Sequence, residues 1–284
     1  MKCRYYIPTL NLVGRGCVQE IGAVAHDLDA SKALIVASSG SIGEEQAAKI
    51  GEILTGAGLT FGTFSRVLPD PTLSIVAEGL STFREGNYDM LVAVGGGSAI
   101  DAAKGIGMLA AGGKLSAESV SPPTRSLPPL FAIATTAGTG SEVTKFAVLT
   151  DDETHRKITI EDWRLTPSVS VNDPELMITL PAPMTAATSA DALTHAIEAI
   201  ASLDATPITD AKALAAVELI VQSLPKAVAD GTDLEARENL AYASFLAGTA
   251  FNNAGLGLVH AMSHPLGSAF RLPHGLCNAL LLPV

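Results

Sequence analysis

Short, continuously apolar runs alternate with segments of helical period through the first 175 residues. Lys32–Ser38 (KALIVAS) is apolar and rich in β-branched residues, and it ends in the turn-prone Ser-Ser-Gly-Ser. Ser41–Gly58 then has helical spacing, TFGTFSRVL reads as a strand, Leu73–Glu85 as a helix, and Met90–Val94 as a strand again. After Pro128, FAIATT, KFAVLTD, KITIED and SVSVND read as further strands. Strands apolar along their whole length, with helices between them, imply a parallel sheet covered on both faces. From about Glu175 the β-branched runs cease and an Ala-rich helical pattern continues to the end. The pattern therefore predicts an α/β domain over residues 1–178 and an all-helical domain over 179–284.

Composition narrows the classes. The chain has 284 residues, 48% hydrophobic and 17% charged, with a formal charge of −11. That is ample for a core and argues against disorder. An acidic chain without Lys/Arg clusters offers no positive face for nucleic acid or an anionic membrane. Cys3, Cys17 and Cys277 are far apart and odd in number, which points to a reducing, cytoplasmic setting. MKCRYYIPTLNL has no apolar signal core. The span Asn239–Ser263 carries no charge, but its Asn, Gly and His residues favour two buried helices around a glycine break over a membrane span.

Two loops carry candidate chemistry. DMLVAVGGGSAIDAAK is a strand, three glycines, Ser98 and a helix, so its free N–H groups suit a pyrophosphate. Ser98 is placed to cap that helix, with Asp101 completing a capping-box-like start. The loop is neither GxGxxG nor GxxxxGK[ST], and a tight turn that binds nothing has the same glycines. TTAGTGSEVT (Thr135–Thr144) follows another apolar strand with small and hydroxyl residues that suit a ribose-phosphate or a nicotinamide amide. Two such loops at the carboxyl ends of parallel strands fit a nucleotide crevice.

The helical part concentrates histidine. Asp191 and His195 lie four apart and project from one helix face, and His260 and His264 repeat that spacing. His274 follows in LPHGL. One carboxylate and several imidazoles on neighbouring helices suit Fe²⁺ or Zn²⁺. A hydrogen-bonded surface pair and packing histidines are the alternative. His26 and His155 match no site motif and are assigned to the surface.

GGGSAIDAAK, TTAGTGSEVT, DALTHAIEA and GLVHAMSHPLGSAFRLPHG, in this order, resemble the iron-dependent (group III) alcohol dehydrogenase family. The resemblance runs from NLVGRGCVQEIG to the last residues. It implies a dinucleotide-binding α/β domain with a helical domain, the active site between them, in a dehydroquinate-synthase-like fold. It also implies metal ligands at Asp191, His195, His260 and His274, with His264 beside the site as a proton relay or as an orienting group. The pyrophosphate loop falls at Gly96, Gly97, Ser98 and Asp101, the nicotinamide side at Thr135, Thr136, Thr139 and Ser141, and a cofactor-contacting lysine at Lys157.

The implied activity is reversible hydride transfer between NAD and a short primary alcohol or aldehyde. Fe²⁺ is the implied metal, with Zn²⁺ as the competitor that affinity order favours. Ser38 stands where many members have an Asp that disfavours a 2′-phosphate, which admits NADP. Asp70, in PDPT, replaces a commoner Asn. Members continue beyond the apolar GLCNALLLPV, so the resemblance implies a truncated helical domain with an exposed apolar surface, and a homo-oligomer, dimeric or higher. The rivals are a zinc-dependent glycerol dehydrogenase, a dehydroquinate-synthase-like enzyme, or a non-catalytic truncated form.

Overall fold

The computed structural model describes residues 5–6, 10–270 and 272–284. Cys3 and most of the first nine residues lie outside them. The chain runs β1 (Leu10–Val13), α1 (Ile21–Asp27), β2 (Lys32–Ser38), α2 (Ser41–Gly56), β3 (Thr60–Val67), α3 (Leu73–Glu85), β4 (Met90–Gly95) and α4 (Gly97–Ala110). A small β5 (Lys114–Leu115) and β6 (Val120–Ser121) pair follows, then β7 (Leu130–Ala134), β8 (Phe146–Thr150), β9 (Lys157–Glu161) and β10 (Val169–Asn172). Five helices complete it: α5 (Ala182–Ala201), α6 (Pro207–Ala229), α7 (Leu234–Ala254), α8 (Leu258–Phe270) and α9 (His274–Leu281).

Six strands form a wholly parallel sheet in the order β1-β10-β7-β4-β2-β3. Alternation within each strand feeds two cores. Ala33, Ile35 and Ala37 of β2 join Ile50 and Leu54 of α2 on one face. Leu34 and Val36 join Ile100 and Ile106 of α4 on the other. The continuously apolar runs are thus strands with both faces buried.

KFAVLTD and KITIED depart from that sheet. They form an antiparallel hairpin, β8 with β9, in register from Phe146 opposite Glu161 to Thr150 opposite Lys157. The few residues between them are too short for the crossover that a parallel pair needs. The hairpin packs on α4 and carries Lys157 toward the cleft.

The helical part is held by alanines. Ala192, Ala196 and Ala199 of α5 pack with Ala213 and Ala216 of α6 and with Ala243, Ala247 and Ala250 of α7, all buried. Small side chains let the axes approach closely, and larger residues would push the helices apart. The uncharged span is two helices with the break at Gly255–Gly257, but the second is not buried as expected. Only His260 and Ser263 of α8 are buried, while Leu258 and Phe270 are 79% and 69% exposed. The terminal apolar run is likewise split: Cys277 and Asn278 are buried, Leu280 is exposed. No helix among the described residues is long and apolar enough to cross a membrane.

Candidate active site

Three adjacent strands, β2, β4 and β7, end together at Ser38, Gly95 and Ala134, and the loops that leave them line a groove of about 570 Å³. Ser38, Gly96, Gly97, Ser98, Thr135, Thr136, Thr139 and Lys157 all line it. Thr135 N–H donates to Gly95 O at 3.0 Å, which ties the two loops. At Gly97 a Cβ would stand 2.9 Å from Thr139 Cγ2, so only glycine lets the loops approach this closely. Gly140, at φ 64°, would place a Cβ 2.8 Å from Gly248 Cα on α7. It supplies both the left-handed turn and the contact with the helical part.

Two expectations change here. Gly96, not Ser98, is the N-cap of α4, and no side chain caps it. The chain enters the helix at Gly97, so Ser98 already sits in its first turn. Asp101 makes no capping box, because better donors reach it: Ser141 Oγ donates to it at 2.5 Å and Val148 N–H at 2.9 Å. Asp101 and Ser141 therefore tie α4 to the second loop and the hairpin, and they line the neighbouring cavity instead of the groove.

Lys104 does related work and was not singled out in the sequence. It is fully buried, and Nζ donates to the carbonyls of Thr144 at 2.9 Å and Phe146 at 2.6 Å. Burial lowers its pKa to about 8 against the pull of Asp101 and Glu142. Burial raises Glu142 to about 7. The signal was a lysine three residues after Asp101 in an otherwise apolar helix.

The neighbouring cavity, about 340 Å³, is lined by Asp191, His195, His260, His264 and His274, with Phe146, Val148, Phe251 and Leu256 as apolar wall. It shares Gly97, Ser98, Thr139 and Lys157 with the groove. Asp191 and His195 come from one face of α5, His260 from α8 and His274 from the first turn of α9. Asp191 Oδ1 lies 3.5 Å from Nε2 of both His260 and His274, and 3.7 Å from Nε2 of His195. Ligands ~2.1 Å from a shared cation stand about 3–3.5 Å apart around it; the ligand atoms of Asp191, His195 and His260 all lie within 4.8 Å of one another and suit a divalent metal, with His274 beside Asp191. Asn278 marks the same electron-rich point. Its Nδ2 lies 2.6 Å from Asp191 Oδ1, 3.2 Å from His260 Nε2 and 3.4 Å from His274 Nε2.

Electrostatics agree with a cation-seeking pocket. Burial pushes the Asp191 carboxyl up, but His195, His260 and His274 hold it well below the usual carboxylate range. Burial lowers His195 to about 3, despite Asp191, so the neutral ring keeps one nitrogen lone pair free. His260 resists burial because Asp191 and Glu198 both pair with it, and it rises to about 9. His264 stands with its ring centre 6.1 Å from that of His260 and 5.0 Å from that of His274. Burial, then His274, His260 and Lys157, lower it to about 4.

Three further residues escaped the sequence reading or had no account there. Glu198 Oε2 meets His260 Nδ1 at 2.5 Å. It follows Asp191 by seven and His195 by three, the same helix face, and that spacing was the available signal. Asn278, four after His274, was the second. Asp70, unexplained in the sequence, pairs with Lys157 Nζ at 2.9 Å where the groove and the cavity meet. His26 and His155 are exposed.

Comparison with known proteins matches both parts of the chain. Residues 8–174 match the iron-containing alcohol dehydrogenase family, and residues 185–284 match the C-terminal region of the Fe-containing alcohol dehydrogenase family. The NAD-dependent methanol dehydrogenase of Bacillus methanolicus is 47% identical over 285 residues, 98% of this chain and 74% of that protein. The 1,3-propanediol dehydrogenase of Citrobacter freundii is 48% identical over 98% of this chain and 73% of that protein. A crystal structure of 1,3-propanediol oxidoreductase superposes with a TM-score of 0.96 at 47% identity, covering 100% of this chain and 75% of that one. These relatives do not favour the glycerol dehydrogenase or dehydroquinate-synthase-like readings.

Proposed function

This chain belongs to the iron-containing alcohol dehydrogenase family and is an oxidoreductase acting on alcohols; we propose that it exchanges hydride between NAD and a short primary alcohol or aldehyde, with Fe²⁺ held by Asp191, His195, His260 and His274. One observation carries the reading. The pocket that Asp191, His195, His260 and His274 line opens into the groove at the strand ends, and the two share Gly97, Ser98, Thr139 and Lys157. When bound, the metal supplies Lewis acidity toward the alcohol oxygen and the nicotinamide supplies the hydride acceptor.

The chain's own residues do the rest. The glycine loop and its free N–H groups receive the pyrophosphate, and the Thr135–Thr139 hydroxyls orient the nicotinamide end. Phe146, Val148, Phe251 and Leu256 keep water from the reacting atoms and suit a small apolar chain. His264, neutral at pH 7, is an acceptor for the alcohol proton at an imidazole nitrogen; it is not a resident acid. Around Ser38 the groove is lined by uncharged Ser39, Ile42, Gly43 and Gln46, while its Asp70 and Lys157 are paired with each other where the groove meets the cavity. NAD is therefore the assigned coenzyme, with NADP accepted more weakly. The domain division at residues 178 and 179, a homo-oligomer formed through exposed apolar side chains such as Leu214 and Val221, and a cytoplasmic setting supported by free, buried Cys17 and Cys277 belong to the same proposal.

The test is a panel of short alcohols and aldehydes, assayed anaerobically with NAD and NADP after chelation and refilling with Fe²⁺ or Zn²⁺. Turnover of short primary alcohols with NAD, restored by Fe²⁺, is expected. No turnover of any alcohol with either coenzyme in the iron-loaded protein overturns the reading.

A further inference from the structure

We propose that Glu198 is the positioning residue that sets the tautomer of His260 and docks α8 onto α5, so that the ligands of two helices meet at one point; this rests on the metal reading above. The carboxylate is shared between two tasks. Oε2 meets His260 Nδ1 at 2.5 Å, and Oε1 accepts the Val259 N–H at 2.6 Å. Val259 lies in the first turn of α8, where backbone N–H groups lack helical partners and a negative charge is favoured. Glycine at residue 257 leaves the carboxylate undisturbed in this position. A Cβ there would stand 2.8 Å from Glu198 Oε1.

The chemistry follows from what a carboxylate can do. An ionised carboxylate only accepts hydrogen bonds, so the imidazole must present Nδ1–H to it. With Nδ1–H held by the carboxylate, Nε2 is the nitrogen whose proton a metal displaces and whose lone pair it takes, and that atom lies 3.5 Å from Asp191 Oδ1. Asp191 and His195 are on α5 with Glu198, whereas His260 is on α8. One side chain thus fixes the orientation of α8 against α5 and the lone pair that α8 contributes. Histidine ligands generally need such a partner for the distal nitrogen.

Glutamine separates shape from chemistry. In Glu198→Gln the amide oxygen still accepts from Val259 N–H, which turns the NH₂ toward His260 Nδ1. That nitrogen must then accept, the proton moves to Nε2, and the lone pair leaves the metal point. Glu198→Asp is shorter but remains acceptor-only. The two variants and the wild-type full chain are titrated with Zn²⁺ alone against a competing chelator, without coenzyme or alcohol, and their metal-free thermal unfolding is compared.

The wild type should bind zinc. Glu198→Gln should bind about 10–100-fold more weakly while its metal-free unfolding changes little. Glu198→Asp should bind more tightly than Glu198→Gln, against the order of size. Glu198→Gln holding zinc as tightly as the wild type, or more tightly than Glu198→Asp, overturns the proposal. If glutamine abolishes folding, Glu198→Asp decides: retained zinc supports it, and loss as complete as with Glu198→Ala refutes it. A wild-type chain that binds no zinc or iron instead refutes the metal reading on which the proposal stands.

Discussion

The groove at the strand ends and the pocket between the helices are built from opposite materials. The groove is made of backbone and small hydroxyl residues: Gly96, Gly97, Ser98 and the threonines of the second loop. What matters there is the space left by missing side chains, as at Gly97. The pocket is made of titratable side chains from α5, α8 and α9; burial moves His195 to about 3, while Asp191 and Glu198 hold His260 at about 9 against burial. The difference teaches which changes each can absorb. The groove tolerates a change of polarity but not an added Cβ, and the pocket tolerates little change in any donor atom.

Removing a donor gives the largest expected effect. Asp191→Ala takes away the oxygen that lies near all three imidazoles, and it should lower kcat/KM by about a thousandfold or more, since Lewis-acid stabilisation is worth several kcal/mol. Metal content per chain, measured beside the activity, should fall with it; retained metal would place the ion elsewhere. Adding charge to the groove comes next. Ser38→Asp should leave kcat/KM with NAD nearly unchanged and reduce it with NADP by about a hundredfold, because like charges brought together cost several kcal/mol. An equal loss with both coenzymes would move the ribose away from Ser38.

Adding bulk to the groove should cost less. Gly97→Val drives a side chain into Thr139 and should raise the KM for NAD about tenfold while zinc binding is preserved, with a stability loss of about 1–3 kcal/mol from overpacking. Loss of zinc binding in that variant would show that the two regions are not separable.

The pH dependence of metal-free stability should come from the pocket. His260 is raised from the ordinary 6.5 to about 9, so the stability it contributes is full below 6.5 and is lost as pH rises through 9. His195 and His264 are lowered to about 3 and about 4, so their contribution is present above 6.5 and is lost as pH falls through those values. Thermal unfolding in chelator should therefore show the cluster stabilising most near pH 6.5. A profile unchanged in His260→Gln would remove this cluster as its cause.

The smallest effect belongs to the pair that joins the regions. The Asp70 side chain is 64% exposed and its bond to Lys157 is open to solvent. Asp70→Asn should shift the KM for NAD by only a few-fold, in keeping with the ~0–1 kcal/mol of exposed ion pairs. A change larger than tenfold would make Asp70 part of the binding site.

The strands, most helices and the residues that converge on the pocket were legible in the sequence for physical reasons. A strand buried on both faces must be apolar throughout, and Asp191 and His195 at helical spacing must share a face. Choosing among His260, His264 and His274 needed the family resemblance, because helical spacing alone treats His264 as the equal of His260. Only coordinates place His260 and His274 Nε2 near Asp191. KFAVLTD and KITIED read only as further strands in the sequence, and the link between them, too short for a parallel crossover, is what makes the pair a hairpin. Lys104 and Glu198 look like ordinary surface charges in sequence. Their roles depend on what lies across the interface, the Thr144 and Phe146 carbonyls for one and His260 for the other.

The account rests on four donors meeting at one point, so the most direct measurement is anomalous diffraction from crystals of the iron-loaded protein. It predicts one strong iron peak within bonding distance of Asp191, His195, His260 and His274, with the Asn278 amide turned away. An iron peak elsewhere, or one bound by Asn278 in place of His274, would contradict it.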